Sequence, residues 1–270
     1  IMLPALLGPV LGPPIGGFLV EYLSWHWIFL INLPIGIILV LTCIVKMPVV
    51  DTAEINKFDW RGFLSLSPAI VIICIISNQA SIINIPMNYK IVMGIFSIIL
   101  LAYFWFHINN CYRPLFNPSI LKVRSFTVGL IGNIFSRLGF SAMPLLIPLL
   151  LQVGLGFSPS KAGMMVLVIG LASIFGKFII EKALDFMGYR NLLTLNTALI
   201  GLIICSFTFI NKESSDILIL FLMILLGTVN SIQFTAMNTL TLIDLSKKQS
   251  SDGNSVLSVI MQVGFVLGIS

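Results

Sequence analysis

The chain has 270 residues, of which 58% are hydrophobic and only 9% charged, with a net charge of +5; its mean hydropathy is +1.07. Soluble domains carry about 25% charged residues, so this much apolar surface excludes a single soluble core and points to an all-α integral membrane protein. The basic excess is then no argument for nucleic-acid binding, because Lys and Arg mark the cytoplasmic loops of membrane proteins.

The first apolar stretch, 1–23, holds Gly8, Gly12, Gly16 and Gly17 beside Pro13 and Pro14. Glycines at 8, 12 and 16 form a slowly drifting smooth stripe on a helix. Small residues at that spacing let a second backbone come close in lipid. The prolines remove backbone donors and bend the helix beside the stripe. The stripe is expected to pack against the sixth span, which offers Gly163, Gly170, Ser173 and Gly176.

A bilayer core takes about 20 apolar residues per helix. On that measure the sequence predicts nine spans, at 1–23, 27–46, 63–82, 91–109, 126–151, 162–181, 191–210, 217–240 and 253–270. Short polar or Gly/Pro-punctuated connections separate them, so successive spans alternate in direction. One set of loops and span ends holds Lys46, Lys57, Arg61, Arg113, Lys122, Arg124, Lys182, Arg190, Lys247 and Lys248, and the other only Lys90, Lys161 and Lys212. The positive-inside rule puts the first set in the cytoplasm, and the first span therefore runs outward. Trp25 and Trp27 then lie at the outer interface, where tryptophans are at home.

Within the fifth span, Asn133, Arg137 and Ser141 are four apart and share one helix face. An arginine at mid-bilayer costs at least about 2.5 kcal/mol on insertion scales, so that face is expected to look into a polar cavity. The alternative is a structural arginine bonded to carbonyls or to Asn133. Asn230 and Gln233 read either as helix–helix glue or as cavity lining. Phe135, Phe140 and Phe234 are near enough to stack on apolar cations. Lys177 sits about one turn from a helix end and can snorkel.

The four cysteines, Cys43, Cys74, Cys111 and Cys205, are widely spaced with no CxxC pair, which suggests neither a disulfide framework nor a metal site. His26 and His107 lie near span ends and read as interface residues. No Asp or Glu falls deep in a span, since Glu21, Glu181, Asp185 and Asp244 all lie near ends. With no HExxH motif and no paired acids at helical spacing, the chain is not expected to be an enzyme, nor to need a cofactor. The chain opens and closes inside apolar runs without a basic n-region or a small-residue cleavage site, and reads as an internal fragment of a longer protein.

The run Gly8-x3-Gly12-Pro13-x2-Gly16-Gly17 resembles the antiporter motif on the fifth helix of drug exporters in the major facilitator superfamily. The stretch Leu19–Gly36, with Ser24-Trp25-His26-Trp27 and Asn32-Leu33-Pro34, is similar to that superfamily's fourteen-helix drug:proton antiporter branch. So are Gln152-Val153-Gly154-Leu155-Gly156-Phe157-Ser158-Pro159, Met237-Asn238-Thr239-Leu240-Thr241-Leu242 and Gly253-Asn254-Ser255. The resemblance implies a truncated major facilitator fold: 1–46 as the last two helices of an N-terminal six-helix bundle, 47–125 as two linking helices with cytoplasmic loops, and 126–270 as a C-terminal bundle. It implies a gating loop over Glu181–Arg190, where Asp185, Gly188 and Arg190 fit the family pattern. The family's proton-coupling acid lies before its fifth helix, outside this chain.

The expected function is drug efflux by drug:proton antiport with alternating access, as a monomeric unit in the bacterial inner membrane. Its partners would be the lipid bilayer, protons and small amphipathic substrates. Export of a specific metabolite or siderophore, or an inactive truncated product, are the alternatives.

Overall fold

A computed structural model describes residues 3–46, 58–77, 85–112 and 114–270; side chains of 3–7, 9 and 248 are outside the description. Lys57 and Arg113, two of the basic loop residues, therefore lie outside the described residues. Every described regular element is helical. That is what lipid demands of a chain without a closed barrel, since a helix satisfies its own backbone.

The helices are α1 (Leu3–Tyr22), α2 (Trp27–Lys46), α3 (Trp60–Ser77), α4 (Met87–Asn110), α5 (Arg124–Gly154), α6 (159–187) and α7 (189–206), α8 (Asp216–Leu242) and α9 (Lys247–Ile269). Seven described helical stretches are long and apolar enough to cross a membrane, α6 and α7 counting as one stretch of 51 residues up to Phe209. At about 1.5 Å per residue that stretch is far longer than a bilayer core, and it breaks at Gly188, where φ is +67°.

Local chemistry explains where helices begin and end. Asp59 accepts a 2.9 Å hydrogen bond from the Gly62 amide, so α3 starts at Trp60 rather than at Phe63, where the predicted span begins. Ser158 caps α6 by accepting from the Lys161 amide, with Pro159 in the first turn, where it lacks only a donor that would be orphaned anyway. Ser246 and Gln249 form a reciprocal capping box, which starts α9 well before Gly253. The loop expected over Glu181–Arg190 is corrected: the chain stays helical to 187 and resumes at 189. Its polar residues end the apolar run without ending the helix, because their side chains can reach water while the backbone stays bonded.

Two units divide the chain. The first comprises residues 1–55 and 144–233. Here α1 packs on one face of α6 and α8 on another. A Cβ on Gly176 would meet the Thr228 carbonyl and Ser231, and one on Gly227 would meet the Ile169 carbonyl. Ser231 Oγ donates to the Ser173 carbonyl at 2.6 Å, and Ser173 Oγ to the Gly227 carbonyl at 3.2 Å. These are small-residue contacts with hydroxyl bonds between helices, the pattern lipid-embedded interfaces favour. None of the residues of α2 is buried. An apolar helix face can stay uncovered in a bilayer at no hydrophobic cost.

The second unit comprises 56–143 and 234–270. In it α3 and α4 are antiparallel neighbours, joined by Ser97 Oγ donating to the Ala69 carbonyl at 3.0 Å. The first part of α5 packs against α9 and the end of α8. Buried Ile120, Phe126, Leu130 and Leu257 form its core, and the Asn117 amide donates to Asp252 at 3.0 Å.

Candidate functional site

The face that carries Asn133, Arg137 and Ser141 turns inward in the second unit, toward α9 and the end of α8. Asn133 is buried, and its amide donates to the Gly129 carbonyl and to Thr241 Oγ1, both at 3.1 Å. Gly129 makes this approach possible, because a Cβ there would meet Thr241. Ser141 is buried with no partner for its hydroxyl, facing Gly268.

Arg137 is half-buried. Its guanidinium donates to Met261 Sδ at 3.2 Å and lies 4.5 Å from the centroid of the Phe234 ring. Gly264 makes room for its stem. Neither described ion pair includes Arg137. A cation–π contact contributes about 0.5–2 kcal/mol, less than or comparable to the at least 2.5 kcal/mol or so that a mid-membrane arginine costs. Among the described residues this charge meets a thioether and an aromatic face, and no carboxylate.

Of the other candidates, Gln233 belongs to the first unit and closes a buried polar clasp. Asn196 Nδ2 donates to the Val229 carbonyl at 2.8 Å and to Gln233 Oε1 at 3.0 Å, and Gln233 Nε2 donates to Thr197 at 3.0 Å. These bonds hold α7 to α8. Asn230 is half-buried on the same helix. Of the five polar candidates, Asn133, Arg137 and Ser141 belong to the second unit and Asn230 and Gln233 to the first. Asp185, Gly188 and Arg190 flank the break between α6 and α7 and are exposed. Phe234 touches the Arg137 guanidinium, whereas Phe135 is exposed.

The glycine–proline helix does meet α6, through a face other than the stripe. A Cβ on Gly163 would lie 2.5 Å from the Pro13 carbonyl oxygen and 3.0 Å from Pro14 Cα, one on Gly170 would lie 2.8 Å from a Val10 methyl, and one on Gly17 would meet the Pro159 carbonyl. A Cβ on Gly8, Gly12 or Gly16 would meet no described atom of another element within 4 Å. Pro13 and Gly17 of the motif thus take part in the expected contact with the sixth span, and Gly8, Gly12 and Gly16 do not. Val10, Pro13, Pro14 and Gly17 are three or four apart and make their own face, about 150° round from the stripe. Close approach is supplied largely by the glycines of α6.

Beyond these contacts, Glu21 accepts from the Ser160 amide at 2.8 Å, where a carboxylate favours the first turn of α6. Lys161 pairs with Asp216 at 2.8 Å. Sequence spacing also missed Asn196, Thr241 and Met261 as partners of the polar candidates. Single polar residues on separate apolar helices carry no mark of which helix they will meet.

The whole path of the chain, residues 1–269, matches the family model described as Major Facilitator Superfamily. Curated relatives provisionally designated multidrug resistance protein MdtD align along all of it. They include those of Pectobacterium atrosepticum at 38% identity, Serratia proteamaculans at 36% and Escherichia coli O127:H6 at 36%. The chain spans 58%, 56% and 57% of those proteins, respectively. Apolar helices joined by glycine contacts, buried polar clasps and a match from end to end agree, and the chain belongs to the Major Facilitator Superfamily as a stretch of a multi-pass integral membrane protein.

Proposed function

We propose that the protein containing this chain is a secondary transporter that exports small amphipathic compounds in exchange for protons. Support comes from the superfamily match over residues 1–269 and from relatives named for multidrug resistance. The observation that carries the reading within the chain is Arg137, placed mid-span with Met261 and Phe234 as its partners among the described residues. A charge that costs free energy to keep in a membrane, with no described acidic partner, fits a transport pathway better than a purely structural post.

In this reading 1–46 ends an N-terminal six-helix bundle, 47–125 supplies two linking helices, and 126–270 belongs to a C-terminal bundle. The bundles rock about a midplane site by alternating access, with Asn133, Arg137 and Ser141 lining that site and Asp185, Gly188 and Arg190 near a cytoplasmic gate. The transporter works as a monomer in the bacterial inner membrane, and transports rather than transforms its cargo.

The test expresses the full-length protein in a host deleted for its own pumps and follows efflux of fluorescent amphipathic compounds, anionic and neutral ones among them. Efflux should appear, and should stop when a protonophore collapses the proton gradient. Absence of efflux for a panel of amphipathic compounds, with the protein present in the membrane, would overturn the substrate reading. Efflux that survives the protonophore would overturn proton coupling.

A further inference from the structure

Asp59, His107 and Cys111 converge at one end of the second unit. Asp59 is 48 positions from His107 in sequence, and antiparallel packing brings the start of α3 beside the end of α4. His107 lies in the last turn of α4 and Cys111 directly follows that helix, its amide donating to the His107 carbonyl at 2.9 Å. Side chains at i and i+4 share a helix face, so Nε2 and Sγ point the same way, toward Asp59. His107 Nε2 lies 2.9 Å from Asp59 Oδ1. A carboxylate oxygen, an imidazole nitrogen and a thiol sulfur all lie within 4.8 Å of one another.

A second observation points to a missing ligand. The Asp59 side chain is only 7% exposed, and its Oδ2, unlike Oδ1, has no hydrogen-bond partner among the described residues. Buried polar atoms are normally paired, and an orphaned carboxylate oxygen is costly. The three side chains line an open pocket together with Phe58, Trp60 and Arg61, so an ion has a way in.

We propose that Asp59, His107 and Cys111 form a binding site for a borderline divalent d-block cation, of which Zn2+ is the type. Mixed oxygen, nitrogen and sulfur donors suit zinc and cobalt and disfavour Mg2+ and Ca2+, which take all-oxygen sets. Three protein ligands leave a fourth tetrahedral position for water. Tetrahedral bonds of about 2.0–2.3 Å need donors slightly further apart than the Asp59–His107 hydrogen bond, so binding replaces that bond with two metal bonds through a small side-chain shift. The bound ion would clamp the start of α3 to the end of α4. This site stands apart from the transport reading, and neither depends on the other.

The test titrates the purified full-length protein, in detergent micelles with a phosphine reductant, with Co2+ as a spectroscopic stand-in for Zn2+. Thiolate-to-cobalt charge transfer in the near ultraviolet and intense tetrahedral visible bands should appear, and Zn2+ should abolish both. Cys111→Ser should remove the charge-transfer band, and His107→Gln should weaken Co2+ binding by at least about tenfold. In a variant with Cys43, Cys74 and Cys205 replaced by serine, Zn2+ should slow maleimide alkylation of Cys111 by a similar factor. Asp59→Asn also disturbs the start of α3, so the His107 and Cys111 variants, which leave that cap untouched, decide the matter. Weak octahedral bands, charge transfer that persists in Cys111→Ser, or alkylation indifferent to Zn2+ would each overturn the proposal.

Discussion

Gly163→Ala is the sharpest probe of how α1 is held. Its new methyl would lie 2.5 Å from the Pro13 carbonyl oxygen, against the 3.4 Å at which ordinary contact begins, so the backbones must part by about 0.9 Å. Nothing flexible can yield, because the next nearest atoms, Pro14 Cα at 3.0 Å and Pro13 C at 3.1 Å, are also backbone. Overpacking of this kind costs about 1–3 kcal/mol. At about 2–4 °C per kcal/mol for a chain of this size, the melting temperature should fall by roughly 2–12 °C. Gly12→Ala is the internal control: nothing lies within 4 Å of the added methyl, and alanine favours the helix interior by about 0.5–1 kcal/mol, so stability should hold or rise. The assay is a thermal melt of the purified full-length protein in detergent, read by intrinsic fluorescence and by retention as a monodisperse peak. A Gly163→Ala protein as stable as the parent, beside a destabilised Gly12→Ala, would put the seam on the glycine stripe and refute the packing derived from these contacts.

Three further outcomes follow from particular contacts. Gly188 sits at φ +67° and ψ 165°, a region open essentially to glycine, so Gly188→Ala should cost about 1–3 kcal/mol in a chemical-denaturation assay, while Gly201→Ala, in open space, should not. Asn196 and Gln233 share a buried bond, and a double-mutant cycle with Asn196→Ala and Gln233→Ala should give a coupling of about 0.6 kcal/mol, up to about 1.7; additive losses would show that the clasp contributes nothing. Arg137→Ala should abolish efflux with membrane abundance unchanged, and Arg137→Lys, which keeps the charge without the flat guanidinium over Phe234, should restore only part of it. Loss of abundance in Arg137→Ala would return this residue to a structural role.

The sequence alone determined the solvent, the element type and the family. Apolar runs of span length, broken by polar or Gly/Pro segments, leave only membrane helices, and those are local properties that need no partner. Helix ends were less legible, because a span's apolar limit and its hydrogen-bonded limit differ: Asp59 and Ser246 start helices ahead of the apolar residues, and 182–187 continues one beyond them. The tertiary structure decided which faces meet. Gly8, Gly12 and Gly16 look like a seam in sequence, yet Val10, Pro13, Pro14 and Gly17 make the contact, because the glycines that admit a close approach lie on α6. Arg137 was visible as an anomaly, but Met261 and Phe234 were not visible as its partners. His107 and Cys111 stand one helical turn apart in sequence, but nothing marked Asp59 as their partner, since that contact exists only when antiparallel helices bring residues 48 positions apart within a hydrogen bond.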